Sequence, residues 1–122
     1  MRTLALALFA LALTSSAFAQ SKSAPAYLIA EYEVLDTDSM KKFGEATGPI
    51  VKAHGGQYIA RRSKIAPAIG EAPKTVTIVM FESLEKAQAY FQSPEYKAII
   101  PLRDNGAKFR SYIVEAADNP AP

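Results

Sequence analysis

The chain has 122 residues, with 14 Lys and Arg against 12 Asp and Glu, one His and no Cys. A formal charge of +2 supplies no field that would steer the protein to nucleic acid or to an anionic membrane. Without cysteine there is no disulfide framework, no thiolate metal site and no point for lipid attachment, so stability has to come from packing.

Met1 and Arg2 make a short positive start, Leu4 to Leu13 an apolar run too short to span a bilayer comfortably, and Ala17-Phe18-Ala19 a small-x-small site before Gln20. This pattern predicts a signal peptide over residues 1–19 and a periplasmic or secreted location. Cleavage leaves 103 residues, the size of one domain, and the modest core of such a domain makes a second copy an easy source of further burial. Residues 20–25 read as a flexible leader.

Tyr27 to Leu35 is the first strand. Both of its parities mix apolar and polar residues, which predicts partial cover on each face. Asp36 and Ser39 offer capping oxygens to a helix running from about Thr37 to His54, weakened in the middle by Gly44 and Gly48-Pro49. His54-Gly55-Gly56 ends it, one glycine supplying a left-handed cap. Gln57 to Ile65 is a second strand, with Tyr58, Ala60 and Arg62 on one face and Ile59, Arg61 and Ser63 on the other. After a proline- and glycine-bearing loop, Thr75 to Glu82 is apolar on both faces, which places it at the centre of a sheet. Ser83 caps a helix through Leu84, Ala87, Tyr90 and Phe91. Ser93 and Pro94 then restart a helix as its cap and first residue, and Pro101 is a bend or an end. Phe109 to Glu115 is the last strand, and residues 117–122 read as a disordered tail.

Strand, helix, strand, strand, helix, strand over residues 26–116 is the ferredoxin-like βαββαβ arrangement, an α+β four-stranded antiparallel sheet with its helices on one face. The other face is too apolar to meet water, which predicts a homodimer formed through it.

Tyr27-Leu28-Ile29-Ala30, Ala53-His54-Gly55-Gly56, Val79-Met80-Phe81-Glu82-Ser83, Tyr90-Phe91-Gln92-Ser93-Pro94-Glu95-Tyr96 and Leu102-Arg103 together resemble the uncharacterised DUF1330 family, over about residues 26–116. The resemblance implies a subunit of a dimeric α/β barrel, the architecture shared with antibiotic-biosynthesis-type monooxygenases and chlorite dismutase-like proteins. It implies no reaction. Met40 stands here where the family commonly has an aromatic residue in the first helix.

Five side chains are candidates for cavity or ligand contacts. His54 is the only side chain that titrates near neutral pH unperturbed; it is either a general base at a cavity rim or a helix-terminal residue bonded to a carbonyl. Arg61 and Arg62 alternate along a strand, so one points inward and needs a counter-charge. Glu31 or Glu33 would supply it as an internal ion pair with Arg61, or a ligand anion would. Tyr32, Tyr96 and Arg103 complete a polar lining, the last two lying seven apart on roughly one helical face. Gly55, Gly56, Ser93 and Pro94 read as structural turn and cap.

The catalytic residues stay unknown at this point. The chain lacks a GxSxG elbow, a lysine-bearing phosphate loop and HExxH. Glu31 and Glu33 are neighbours on one strand face and cannot oppose each other across a substrate. No metal and no cofactor are expected, and neither nucleic acid nor, after cleavage, a membrane is an expected partner. The reading that follows is an exported dimeric domain binding a small apolar or aromatic molecule. The alternatives are a cofactor-free enzyme of the barrel monooxygenase or isomerase type, and a structural or interaction module with its interior packed shut.

Overall fold

The computed structural model describes residues 24–117. The expected signal peptide, most of the leader and most of the tail lie outside these residues. Seven elements follow in the order β1 (Ala26–Val34), α1 (Thr37–Ala53), β2 (Gln57–Arg61), β3 (Thr75–Phe81), α2 (Leu84–Gln92), α3 (Pro94–Gly106) and β4 (Ala107–Glu115). The sheet order is β2-β3-β1-β4, antiparallel throughout, so β3 and β1 hold the centre and β2 and β4 the edges. This is the ferredoxin-like arrangement.

The expectation of a barrel is corrected by the same sheet. Among the described residues β2 and β4 are both free edges and the sheet stays open, whereas a barrel needs its first and last strands to meet through matched tilt and stagger.

Local chemistry accounts for the helix ends. Asp36 Oδ1 accepts the Ser39 N–H at 3.0 Å and starts α1. At its end the Gly56 N–H reaches Val51 O at 2.8 Å and the Gly55 N–H reaches Lys52 O at 3.0 Å, with Gly55 at φ 73°. These paired bonds are a Schellman closure, which needs a left-handed residue at the Gly55 position. Pro49 does not break α1. It removes one backbone donor, and just upstream the Gly44 carbonyl accepts from Thr47 Oγ1 at 3.0 Å and from Arg61 Nη2 at 3.1 Å. Ser93 serves two helices at once: its Oγ donates to Tyr90 O at 2.7 Å and accepts from Tyr96 N at 3.2 Å, and Pro94 opens α3. Pro101 lies within α3, which runs on to Gly106.

The second strand is shorter than its periodicity predicts and carries a bulge. Tyr58 pairs with Val79 and Ala60 with Ile78, so Ile59 is an extra residue, and Arg61 then pairs with Thr77. Val79 and Thr77 face the helices. The bulge therefore puts Tyr58 and Arg61 on the same side, where simple alternation predicts opposite sides. Arg62 follows at φ 49° and ends the strand.

The core lies between the sheet and the helices, built on Ala26, Leu28, Val79 and Phe81 from the strands and Phe43, Val51, Ala87, Tyr90 and Tyr96 from the helices. Its aromatic rings form a continuous series. Phe81 meets Tyr90 with centroids 5.5 Å apart, Tyr90 meets Tyr96 at 4.9 Å, and Phe43 touches Tyr96 at 6.3 Å and Phe109 at 5.6 Å. Such tilted and edge-on pairs add to the area they bury.

Tyr90 is 3% exposed. Burial raises its pKa well above the ordinary phenol value of about 10, with Tyr96 and Tyr58 adding to the effect. Burial likewise raises Tyr96, partly offset by its hydrogen bond from Arg103. A phenol that ionises in the unfolded chain but not in the folded one leaves stability intact below pH 10 and removes it as pH rises further. The slope is about 1.4 kcal/mol per pH unit for each such group. Urea titrations from pH 9 to 11 are expected to show this decline in the wild type and a shallower one in Tyr90→Phe. Equal slopes would place the loss elsewhere.

Candidate functional site

A cavity of about 250 Å³ opens between α1 and the helix-facing side of the sheet. Its floor comes from β1 and β3 through Ala30, Tyr32 and Thr77, its walls from Met40, Phe43 and Thr47 of α1 and from Tyr58 and Phe109, and its mouth from Lys41, Arg61 and Arg62. Alternation explains the floor: Ala30 and Tyr32 share the parity of the core residues Ala26 and Leu28, and Thr77 that of Val79 and Phe81. The cavity exists because the core series of large side chains gives way here to Ala30 and Gly44, both of which line it.

Among its polar groups are two hydroxyl pairs, with Thr37 as a further lining hydroxyl. Tyr32 OH and Thr77 Oγ1 are 3.2 Å apart across β1 and β3. Thr47 Oγ1 and Tyr58 OH are 3.3 Å apart, and since the Thr47 proton goes to the Gly44 carbonyl, Tyr58 donates in that pair. Two hydroxyls that share one hydrogen bond keep one proton over, so the Tyr32–Thr77 pair retains a donor for a third atom. Tyr32 also stacks on Phe109, centroids 4.7 Å apart, which fixes the ring along the cavity wall.

At the mouth, Arg61 donates to the Gly44 carbonyl and lies over the Tyr58 ring, 4.5 Å from its centroid. Among the described residues no Asp, Glu or His lines the cavity.

The sequence candidates divide. Tyr32 and Arg61 line this cavity together. His54 does not: it caps α1, its Nδ1 lies 2.9 Å from Ile50 O, and its ring packs edge-on to Tyr90 with centroids 6.1 Å apart. Tyr96 and Arg103 meet each other two helical turns apart, the Arg103 Nη1 donating to Tyr96 OH at 3.0 Å and its Nε to Asp104 at 2.9 Å. Burial works against the Arg103 charge, yet these bonds raise its pKa above the usual guanidinium value. Neither residue lines the α1 cavity; Arg103 borders a separate shallow groove with Phe91, Asp104 and Tyr112.

The internal ion pair is corrected as well. Glu31 sits opposite Arg110 on β4 and is held by it, Nη2 at 2.8 Å and Nε at 2.9 Å, on the open face of the sheet. Arg61, two strands away and turned to the helices by the bulge, makes no ion pair among the described residues, and Glu33 is exposed.

Sequence reasoning missed Thr47, Tyr58, Thr77 and Phe109. Thr77 carried a usable signal, a hydroxyl on the buried parity of a central strand that has to find a partner. Among the described residues no group of three or more His, Cys, Asp or Glu is placed to hold a metal ion, and no helix is long and apolar enough to cross a membrane.

Solved structures with this fold include a protein of unknown function from Rhodopseudomonas palustris, 16% identical, with a TM-score of 0.66 over 84% of this chain and 88% of that one. SnoaB, a cofactor-independent oxygenase from Streptomyces nogalater, is 7% identical, with a TM-score of 0.56 over 78% of this chain and 95% of its own. A dimeric protein of unknown function with a ferredoxin-like fold from Bacteroides fragilis is 16% identical, with a TM-score of 0.51 over 75% and 96%. No curated protein matches the chain. The family profile that matches covers residues 25–117, all but one of the described residues, and the chain belongs to that family, the domain of unknown function DUF1330.

Proposed function

We propose that the protein binds a small apolar or aromatic molecule in the cavity between α1 and the sheet. The observation that carries this reading is the cavity itself, an aromatic-walled space with two hydroxyl pairs and a cationic mouth. An apolar cavity of roughly 150 Å³ holds a benzene ring, and drug-sized ligands occupy about 300–1,000 Å³. At about 250 Å³ this one suits a single substituted ring or two fused ones. An interior packed shut, as a structural module would have, does not fit it.

Indole, a neutral probe of that size, is expected to shift the amide resonances of Ala30, Thr77 and Phe109 saturably. Ala30→Phe fills the floor and is expected to abolish the shifts while the rest of the spectrum stays dispersed. An indole titration that moves none of these resonances overturns the reading.

A second reading concerns chemistry. The likeness to SnoaB in fold favours a cofactor-independent oxygenase, in which an electron-rich substrate anion itself reduces dioxygen. The cavity supplies what such a substrate needs from a protein: cations beside the anion, a hydroxyl donor and walls that exclude water.

Pairing through the open sheet face and export are part of the same proposal. Tyr27, Ile29, Ile78, Met80, Tyr112 and Val114 stand side by side on that face across three strands, and the dimeric Bacteroides fragilis protein has the same fold. Export rests on the signal-like residues 1–19.

A further inference from the structure

We infer that the ligand of the α1 cavity is a monoanion with an apolar ring body, an aromatic carboxylate or a comparably acidic enol, whose charge is already present when it binds. The inference deepens the binding reading above and rests on it.

Three cations converge on one opening. Lys41, Arg61 and Arg62 all line the cavity, and the Nη2 atoms of Arg61 and Arg62 stand 3.7 and 3.6 Å from where a methyl on Gly44 would lie. Among the described residues none of the three makes an ion pair, and no carboxylate lines the cavity to balance them. The chain as a whole carries a formal charge of only +2, so this concentration is local and does not reflect general basicity. Like charges brought together without a counter-charge invite an anion, and two guanidinium forks match the two oxygens of a carboxylate or enolate.

The backbone adds a second, independent observation. Arg62 holds φ 49°, a left-handed conformation that glycine or asparagine adopts at lower cost, and its N–H is fixed to Val76 O at 3.1 Å. The bulge at Ile59 likewise turns Arg61 to the helix side. Two backbone irregularities in succession thus aim both guanidiniums at one mouth, a place where local strain is associated with function.

The same lining says how the charge arises. Among the described residues no Asp, Glu or His lines the cavity to take a proton from the ligand, and Tyr32 and Tyr58 are each engaged with a threonine hydroxyl. The ligand therefore ionises in water and arrives as an anion. Its ring lies against Phe43 and Phe109, its charge at the arginines, and the spare Tyr32–Thr77 proton meets a second oxygen.

The test compares benzoate with its neutral isostere benzamide, titrated into the full-length mature protein at pH 7.5 and followed by amide chemical shifts and calorimetry. Benzoate is expected to bind at least tenfold more tightly than benzamide, with the ratio of the two affinities falling to within twofold in Arg61→Gln/Arg62→Gln. Arg61→Lys/Arg62→Lys keeps the charges, and its dispersed spectrum and retained preference for benzoate separate charge recognition from a folding defect. Equal affinities for the two probes overturn the anion inference and leave the binding reading standing. If neither benzoate, benzamide nor indole moves Ala30, Thr77 or Phe109, the binding reading itself falls.

Discussion

Alanine at Gly56 is expected to destabilise the fold by about 3 kcal/mol, the upper end of the usual range for an overpacked core. A Cβ there would stand 2.7 Å from Val51 Cγ1 and 2.8 Å from Phe81 Cε1. Both neighbours are fixed: Val51 is 2% and Phe81 1% exposed, and the Phe81 ring is wedged against Tyr90. Neither side chain can swing away as a long flexible one would. Gly55 makes an instructive control. A Cβ on it meets nothing closer than 3.7 Å, so its alanine variant suffers only from the positive φ, at a cost of about 1–2 kcal/mol, and asparagine should recover part of that. Adding Val51→Ala to Gly56→Ala removes one of the two clashes and leaves room into which the Phe81 ring can shift, and the pair should be at least 1 kcal/mol less destabilised than the sum of the two single changes. Chemical denaturation of the wild type, the two single variants and the double variant checks this. Additive losses would show that the clash is relieved by backbone movement and that the close approach at Gly56 is not what constrains the turn.

The second large effect is expected on the open face of the sheet. Ile78 lies between Ile29 on β1 and Ala60 on β2, and Ile29 in turn adjoins Tyr112. Lysine at this position would put an ammonium in the centre of an apolar contact, where the loss of hydration costs several kcal/mol with no partner to offset it. Dissociation is expected to strengthen by more than 100-fold, which corresponds to about 2.7 kcal/mol. The isolated fold should tolerate the change, because in one copy the side chain stands on the uncovered face. Native mass spectrometry of protein taken from the periplasm reads the outcome directly: a wild-type dimer of chains beginning at Gln20, and a monomeric Ile78→Lys. A wild-type monomer would remove the pairing proposal, and a dimeric variant would move the contact to another surface. A mass that retains residues 1–19 would remove the export proposal.

Much of the architecture could be read from residue patterns because each pattern has one physical solution. Thr75 to Phe81 is apolar on both parities and lies between two other strands, the central place that its pattern predicts. Ser93 followed by Pro94 signals a helix start, since serine offers a capping oxygen and proline at the first helical position loses no helical hydrogen bond. Three features resist such reading. The bulge at Ile59 carries no glycine or proline to announce it, so alternation assigns Arg61 to the wrong face. The partner of Glu31 depends on the β1–β4 register, which is set by long-range pairing and not by either strand alone. Barrel closure depends on tilt and stagger across all strands, quantities that periodicity does not contain. The site was only partly legible for the same reason. Tyr32 and Arg61 are polar residues in strands and draw attention, whereas Thr47 and Thr77 matter only through the tyrosines that the tertiary fold brings to them.

The extra residue in β2 has a consequence for how this site could change over time. Identity and placement are uncoupled at the cavity mouth: Arg61 is the residue type that counts, but Ile59 decides where it points, although Ile59 is itself half exposed and does not line the cavity. A relative that lost this one position would keep every cavity-lining side chain in its chain and still turn the guanidinium to the opposite surface. Within such a lineage, gain or loss of anion recognition would be written as a single insertion or deletion, and a comparison of aligned residue types alone would pass over it.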